Sequence, residues 1–95
     1  MATRYLVPAV KRAFEIIELL ATRDPPASIS EIARELSLPL SSVAAIVYTL
    51  SDLRFLERDQ QTARYRLSVK MFGLARRATR KMQSAWPVHT VQRVK

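Results

Sequence analysis

The sequence predicts a mainly α-helical domain with one small β-hairpin, and three observations predict it. Apolar residues recur at spacings of three and four through three stretches before residue 54. The pattern turns to strict alternation in FLERD and RYRL, residues 55–59 and 64–67. It becomes helical again from Val69. Ninety-five residues hold one modest core of three or four packed elements and not two independent ones.

The first helix is expected over residues 8–21. Pro8 suits its first turn, where the missing N–H has no partner in any case, and Val10, Ala13, Phe14, Ile17, Leu20 and Ala21 make its apolar stripe. Pro25 and Pro26 end it at TRDPP, since neither donates to a helix and each biases the residue before it toward extended geometry. A short second helix follows in SISEIARELSL. Ser28 or Ser30 can cap it, and Ser28 with Glu31 fits a capping box; Ile29, Ile32, Ala33, Leu36 and Leu38 are its apolar side. A tight turn at Ser37-Leu38-Pro39 leads to a third helix over residues 40–53. Its expected buried stripe is Val43, Ile46, Val47, Leu50 and Leu53, opposite Ser41, Ser42, Ala45, Tyr48, Thr49 and Asp52. Two short helices across so tight a turn form a helix-turn-helix.

In the hairpin, DQQTA is the exposed tip, and Arg64 and Arg66 are expected side by side on its outer face. A hairpin placed there makes the motif winged. The last helix runs from Val69 to Trp86-Pro87, with Met71, Leu74, Ala75, Ala78 and Met82 as a core or helix-helix seam. The organisation expected is a winged helix-turn-helix over residues 1–68, a linker or dimerisation helix over 69–86 and a basic tail over 87–95.

Charge is distributed unevenly along this plan. Up to Asp59 seven bases face eight acids; from Gln60 onward nine bases meet no acid, so the whole excess lies in the last third. A one-sided basic surface favours a polyanion, by neutralising phosphates and releasing their counterions. The same excess also arises where acidic neighbours of a larger protein are missing.

The order of elements and several strings resemble the N-terminal winged helix-turn-helix domain of the IclR family of bacterial transcriptional regulators. VPAVKRAFEIIELLA carries the likeness for the first helix, ISEIARELSLPLSSVAAIVYTL for the motif, and FLERDQQTARYRLSVKMFGLA for wing and exit helix. The resemblance implies a homodimer that places helix 40–53 in a major groove of duplex DNA and the wing on the backbone. It also implies a C-terminal effector-binding domain, which these residues do not include, so no small-molecule effector is expected here. The chain is expected to be either a fragment of a longer regulator or a stand-alone module.

Some residues depart from the family pattern. Leu40 replaces a lysine and Ala45 an arginine, while Ser37, Ala63 and Ser68 stand where glycines are expected in the motif turn, wing tip and wing exit. Direct readout rests mainly on Arg, Asn or Gln bonded to base edges, and the exposed face of helix 40–53 has none. Ser41 and Ser42 offer hydroxyls, and Ala44 and Ala45 methyl contacts to thymine. The DNA-contacting residues expected are Arg12, Ser30, Leu40, Ser41, Ser42, Ala44, Ala45, Tyr48, Arg64 and Arg66, with phosphates supplying most of the affinity. Arg12 has a second reading as an ion pair with Glu15 or Glu18, Tyr48 as a half-buried neighbour of the wing, Arg64 and Arg66 as a solvated face, and Thr49 as a back-bonded helix residue.

Other chemistries have little to stand on. The chain has no cysteine, one histidine (His89) in the tail, and one glycine (Gly73), which excludes thiol catalysis, thiolate metal sites and a glycine-rich phosphate loop. No enzyme activity and no cofactor are expected. Nothing approaches a membrane span, and the protein is expected in the cytoplasm without a membrane partner. A protein-interaction module on the same scaffold, lacking its reading arginine, is the alternative; a basic amphipathic exit helix on a membrane surface ranks below it.

Overall fold

In the computed structural model, which describes residues 6–85, the chain runs α1 (Pro8–Thr22), α2 (Ile29–Leu36), α3 (Leu40–Asp52), β1 (Leu56–Arg58), β2 (Tyr65–Leu67) and α4 (Val69–Ala85). The expected helix stop at Trp86-Pro87 and the basic tail with His89 lie outside the described residues.

Local chemistry sets the boundaries. Pro8 opens α1. Ser28, and not Ser30, caps α2: the Glu31 N–H donates to Ser28 Oγ at 3.1 Å, and the Ser28 N–H to Glu31 Oε1 at 3.0 Å. Such a cap contributes about 1 kcal/mol. The helix stops because Ser37 turns left-handed (φ 54°), which lets the Leu38 N–H reach back to Ala33 O at 2.9 Å. Arg54 (φ 70°) ends α3 in the same way, with the Phe55 N–H on Leu50 O at 2.9 Å.

β1 and β2 are antiparallel, with Leu56 opposite Leu67, Glu57 opposite Arg66 and Arg58 opposite Tyr65. At the tip the Asp59 carboxylate accepts the Gln61 and Thr62 N–H groups at 2.8 and 3.2 Å, and Ala63 completes the turn at φ 59°. These two N–H bonds, Gln61 first, hold the Asp59 carboxyl below its usual range. Tyr65 also bridges Ala27, exchanging N–H···O bonds of 3.1 and 2.7 Å, which ties the wing to the segment leaving α1.

Two of the three expected glycine sites, Ser37 and Ala63, are left-handed; Ser68 is not. Ser68 is instead buried, its Oγ donating to Arg54 O at 2.6 Å and accepting the Met71 N–H at the start of α4. That position needs the hydroxyl, not a glycine.

Ile16, Leu20, Ala27, Ile32, Ala33, Val43, Val47, Leu56 and Tyr65 form the core where the helices meet the wing. Two expected stripes shift. Val10 and Phe14 are 54% and 61% exposed and Ala21 is exposed, while Ile16 is fully buried. Apolar residues cover most of the circumference of α1, so period alone does not choose its buried face. Leu53 is also exposed, because α3 has ended and the chain reverses there. Most of α4 is exposed, including Leu74, Ala75 and Ala78 of the expected seam.

Candidate nucleic-acid interface

The first residues of α3, Leu40 and Ser41, are exposed, and three features meet there. Pro39 precedes it with no side-chain cap, and the first bond into the helix runs from the Val43 N–H to Pro39 O. The N–H groups of Leu40, Ser41 and Ser42 therefore have no partner within the helix, and the helix dipole favours an anion beside them. From α1, Arg12 Nη1 donates to Ser42 Oγ at 3.0 Å. That bond brings two expected contacts together across 30 residues; the ion pair with Glu15 belongs to Lys11, at 2.8 Å.

Along α3, Leu40 and Tyr48 are 56% and 59% exposed, Ser41 and Ala45 are exposed, and Ser42 and Ala44 are half-buried. The half-buried reading of Tyr48 is thereby overturned. Thr49 back-bonds to Ala45 O at 2.8 Å, as one of its readings has it. Ala45 also lines an apolar groove of about 430 Å³ between α1 and α3, with Val10, Ala13, Phe14, Ile46 and Leu50. The position where the family pattern carries arginine is thus continuous with the apolar face of α1. Ser30 is exposed at the second position of α2.

The two wing arginines, expected side by side, take different partners. Arg64 is half-buried and turns inward, its Nη1 donating to Glu31 Oε1 at 2.5 Å and to Pro26 O at 3.3 Å. Arg66 stays exposed, with its Nε 3.3 Å from Glu57 across the strands. Glu31 is the shared acceptor: it caps Ser28, receives Arg64 and also pairs with Arg23 at 3.3 Å, while Arg23 reaches Glu35 as well. The Ser28 N–H, and then Arg64, hold the Glu31 carboxyl below its usual range.

Two of these roles escape sequence reading. Glu31 as the anchor of the wing lies 33 residues from Arg64, and no local pattern links them. Lys70 donates to Leu53 O at 2.8 Å and sits 4.5 Å from the centroid of the Phe55 ring, fixing the base of α4 against the end of α3. Among the described residues, no cluster of His, Cys, Asp or Glu has the arrangement of a metal site, and no helix is long and apolar enough to cross a membrane.

Comparison with known proteins adds a family. A model of the IclR helix-turn-helix domain matches residues 9–60. Among solved structures, the chain is similar to an IclR transcriptional regulator from Alicyclobacillus acidocaldarius, with 29% identity and a TM-score of 0.72 over 78% of this chain and 30% of that one. It is similar to an IclR-family transcriptional regulator from Brucella abortus, with 27% identity and a TM-score of 0.68 over 75% of this chain and 27% of that one. HmgR from Pseudomonas aeruginosa matches with 25% identity and a TM-score of 0.70, over 81% of this chain and 33% of that one. The chain thus spans a third or less of the length of these proteins. No curated protein matches it.

Proposed function

Since the chain belongs to the IclR family, whose helix-turn-helix domains serve DNA-binding transcriptional regulators, we propose that it binds duplex DNA mainly through phosphates, with α3 in a major groove. The observation that carries this reading is the Arg12–Ser42 bond at the uncapped start of α3. It gathers a guanidinium, two serine hydroxyls and three backbone N–H groups where a helix entering a groove meets the strand.

Ser41 and Ser42 hold the entry phosphate with Arg12, Ser30 meets the backbone from α2, and Arg66 meets it from the wing. Leu40, Ala44, Ala45 and Tyr48 then face the base edges. Apolar and hydroxyl groups distinguish bases weakly, apart from contact with thymine methyls, so specificity comes largely from DNA shape and half-site spacing. Residues 1–68 form the DNA-contacting unit and residues 69–86 the helix that connects and pairs protomers. A homodimer through α1 and α4 supplies the second half-site. The exposed Val10 and Phe14 on α1 support that pairing. The reading gives these residues no effector site.

The test is binding of the chain to random-sequence duplex DNA across a salt series, beside Arg12→Ala. A steep loss of affinity with salt, made shallower by roughly one phosphate's worth of slope in the variant, supports the reading. Absence of binding at low salt overturns it.

A further inference from the structure

The 17 residues of α4 hold Lys70, Arg76, Arg77, Arg80 and Lys81 and no acid. At 3.6 residues per turn, Lys70, Arg77 and Lys81 fall within roughly 40° of arc, and Arg80 and Arg76 widen the basic face to roughly 140°. Arg76, Arg77, Arg80 and Lys81 are exposed. Arg76 with Arg80, and Arg77 with Lys81, are like charges at four-residue spacing, which weakens a helix unless an anion lies against it.

Gly73 sits in the middle of this face. It is the chain's only glycine, and its φ is not positive. A Cβ built there meets only Arg77 Nη1, at 3.9 Å, an ordinary contact. Neither the backbone nor crowding therefore calls for glycine, and alanine is the better helix former. Beside the glycine lies an open, shallow cleft of about 220 Å³ bounded by Gly73, Arg76, Arg77 and Arg80. Three guanidinium groups border a notch where an oxyanion can come close to the helix.

We propose that this cleft is a second phosphate site of the domain, occupied by backbone phosphates of the duplex flanking the turn that α3 enters. The inference rests on the DNA-binding reading above and extends it to a helix with no place in base recognition. Arginine suits a phosphodiester, because its planar fork bonds two oxygens at once. Lys70 is held by Leu53 O and the Phe55 ring, so the ridge starts from a point fixed to the end of α3. The footprint on DNA is accordingly longer than α3 and the wing require.

The experiment compares the full chain with Arg76→Gln/Arg77→Gln/Arg80→Gln and with Gly73→Ala. Glutamine keeps helix propensity, and circular dichroism confirms retained helix. Affinity is read across a salt series on a random duplex of about one turn, roughly 10 bp, and on one several turns long. On the long duplex the triple variant is expected to lower the salt slope by about two to three, near one per arginine, with little change on the short one. Gly73→Ala is expected to lose affinity several-fold on the long duplex only, while its helix content rises.

Equal slopes for wild type and triple variant on the long duplex overturn this inference and leave the DNA-binding reading standing. A loss of the same size on both duplexes overturns the flanking placement. Vesicles of mixed neutral and anionic phospholipid that bind the wild type as tightly as the long duplex, and lose the triple variant, assign the ridge to membrane and overturn it too. A wild type that binds neither duplex removes the DNA-binding reading itself.

Discussion

Arg64 of the wing donates to Glu31, the residue that closes the capping box of α2, and so fastens the wing to the helix-turn-helix. Arg66, two residues on, pairs with Glu57 at 3.3 Å and stays exposed. The two arginines are therefore expected to fail differently. Arg64→Ala lowers the melting temperature and loosens the wing, seen as faster amide exchange at Tyr65 and Ala27. Arg66→Ala leaves folding stability within about 0.5 kcal/mol of wild type, as for other surface changes, and lowers the DNA salt slope by about one. Matching effects from the two substitutions would contradict this division.

Glu31 gives the same anchor a pH dependence. Its carboxyl is held below the usual range by the Ser28 N–H first and Arg64 second, so its folded value lies under its unfolded one. A depressed carboxylate contributes stability that is fully present above the unfolded value, about 4.3, and is lost as pH falls through the folded one. Urea unfolding of wild type and Glu31→Gln is expected to differ most at neutral pH and to converge on acidification. A gap that stays constant through acid would remove Glu31 as a source of the dependence.

Backbone strain separates three positions that the sequence groups together. Ser37 and Ala63 are left-handed, at φ 54° and 59°, while Ser68 is not. A left-handed residue with a Cβ costs roughly 1–2 kcal/mol, and glycine gives back about 0.4–1 kcal/mol through the unfolded chain. Ser37→Gly and Ala63→Gly are each expected to stabilise by roughly 0.5–1 kcal/mol. Ser68→Gly is expected to destabilise by about 1 kcal/mol or more, because a buried hydroxyl bonded to Arg54 O and to the Met71 N–H is lost. Denaturant midpoints of the three variants read this directly, and a stabilising Ser68→Gly would show that the hydroxyl contributes nothing.

What the sequence reveals follows from the range over which each interaction acts. The capping box, the Pro8 start and the alternation of the wing are local, and they place α2, α1 and the hairpin within a residue or two. The two left-handed sites at Ser37 and Ala63 were legible through the family pattern; Arg54 was not, since neither glycine nor asparagine marks it. The candidate site depends on partners far apart in the chain. Arg12 meets Ser42, and Arg64 meets Glu31, only once α1, α2 and the wing have packed. The arginines are plain in the sequence, but their partners Ser42 and Glu31 are set by packing alone.

The apolar face of α1 tests whether this domain pairs. Ile16 and Phe14 are both large and apolar on one helix, yet Ile16 is fully buried and Phe14 is 61% exposed. Within one protomer Ile16→Ala costs about 2–5 kcal/mol, whereas Phe14→Ser removes few contacts and leaves stability near wild type. If two copies meet through α1 and α4, the melting temperature of the wild type rises with protein concentration, because association stabilises the folded state by mass action. Phe14→Ser is expected to abolish that rise and to sediment as a monomer, while keeping the wild-type melting temperature at high dilution. A wild type that sediments as a monomer at every concentration, with a constant melting temperature, would leave Val10 and Phe14 without a role in pairing and sink the dimer.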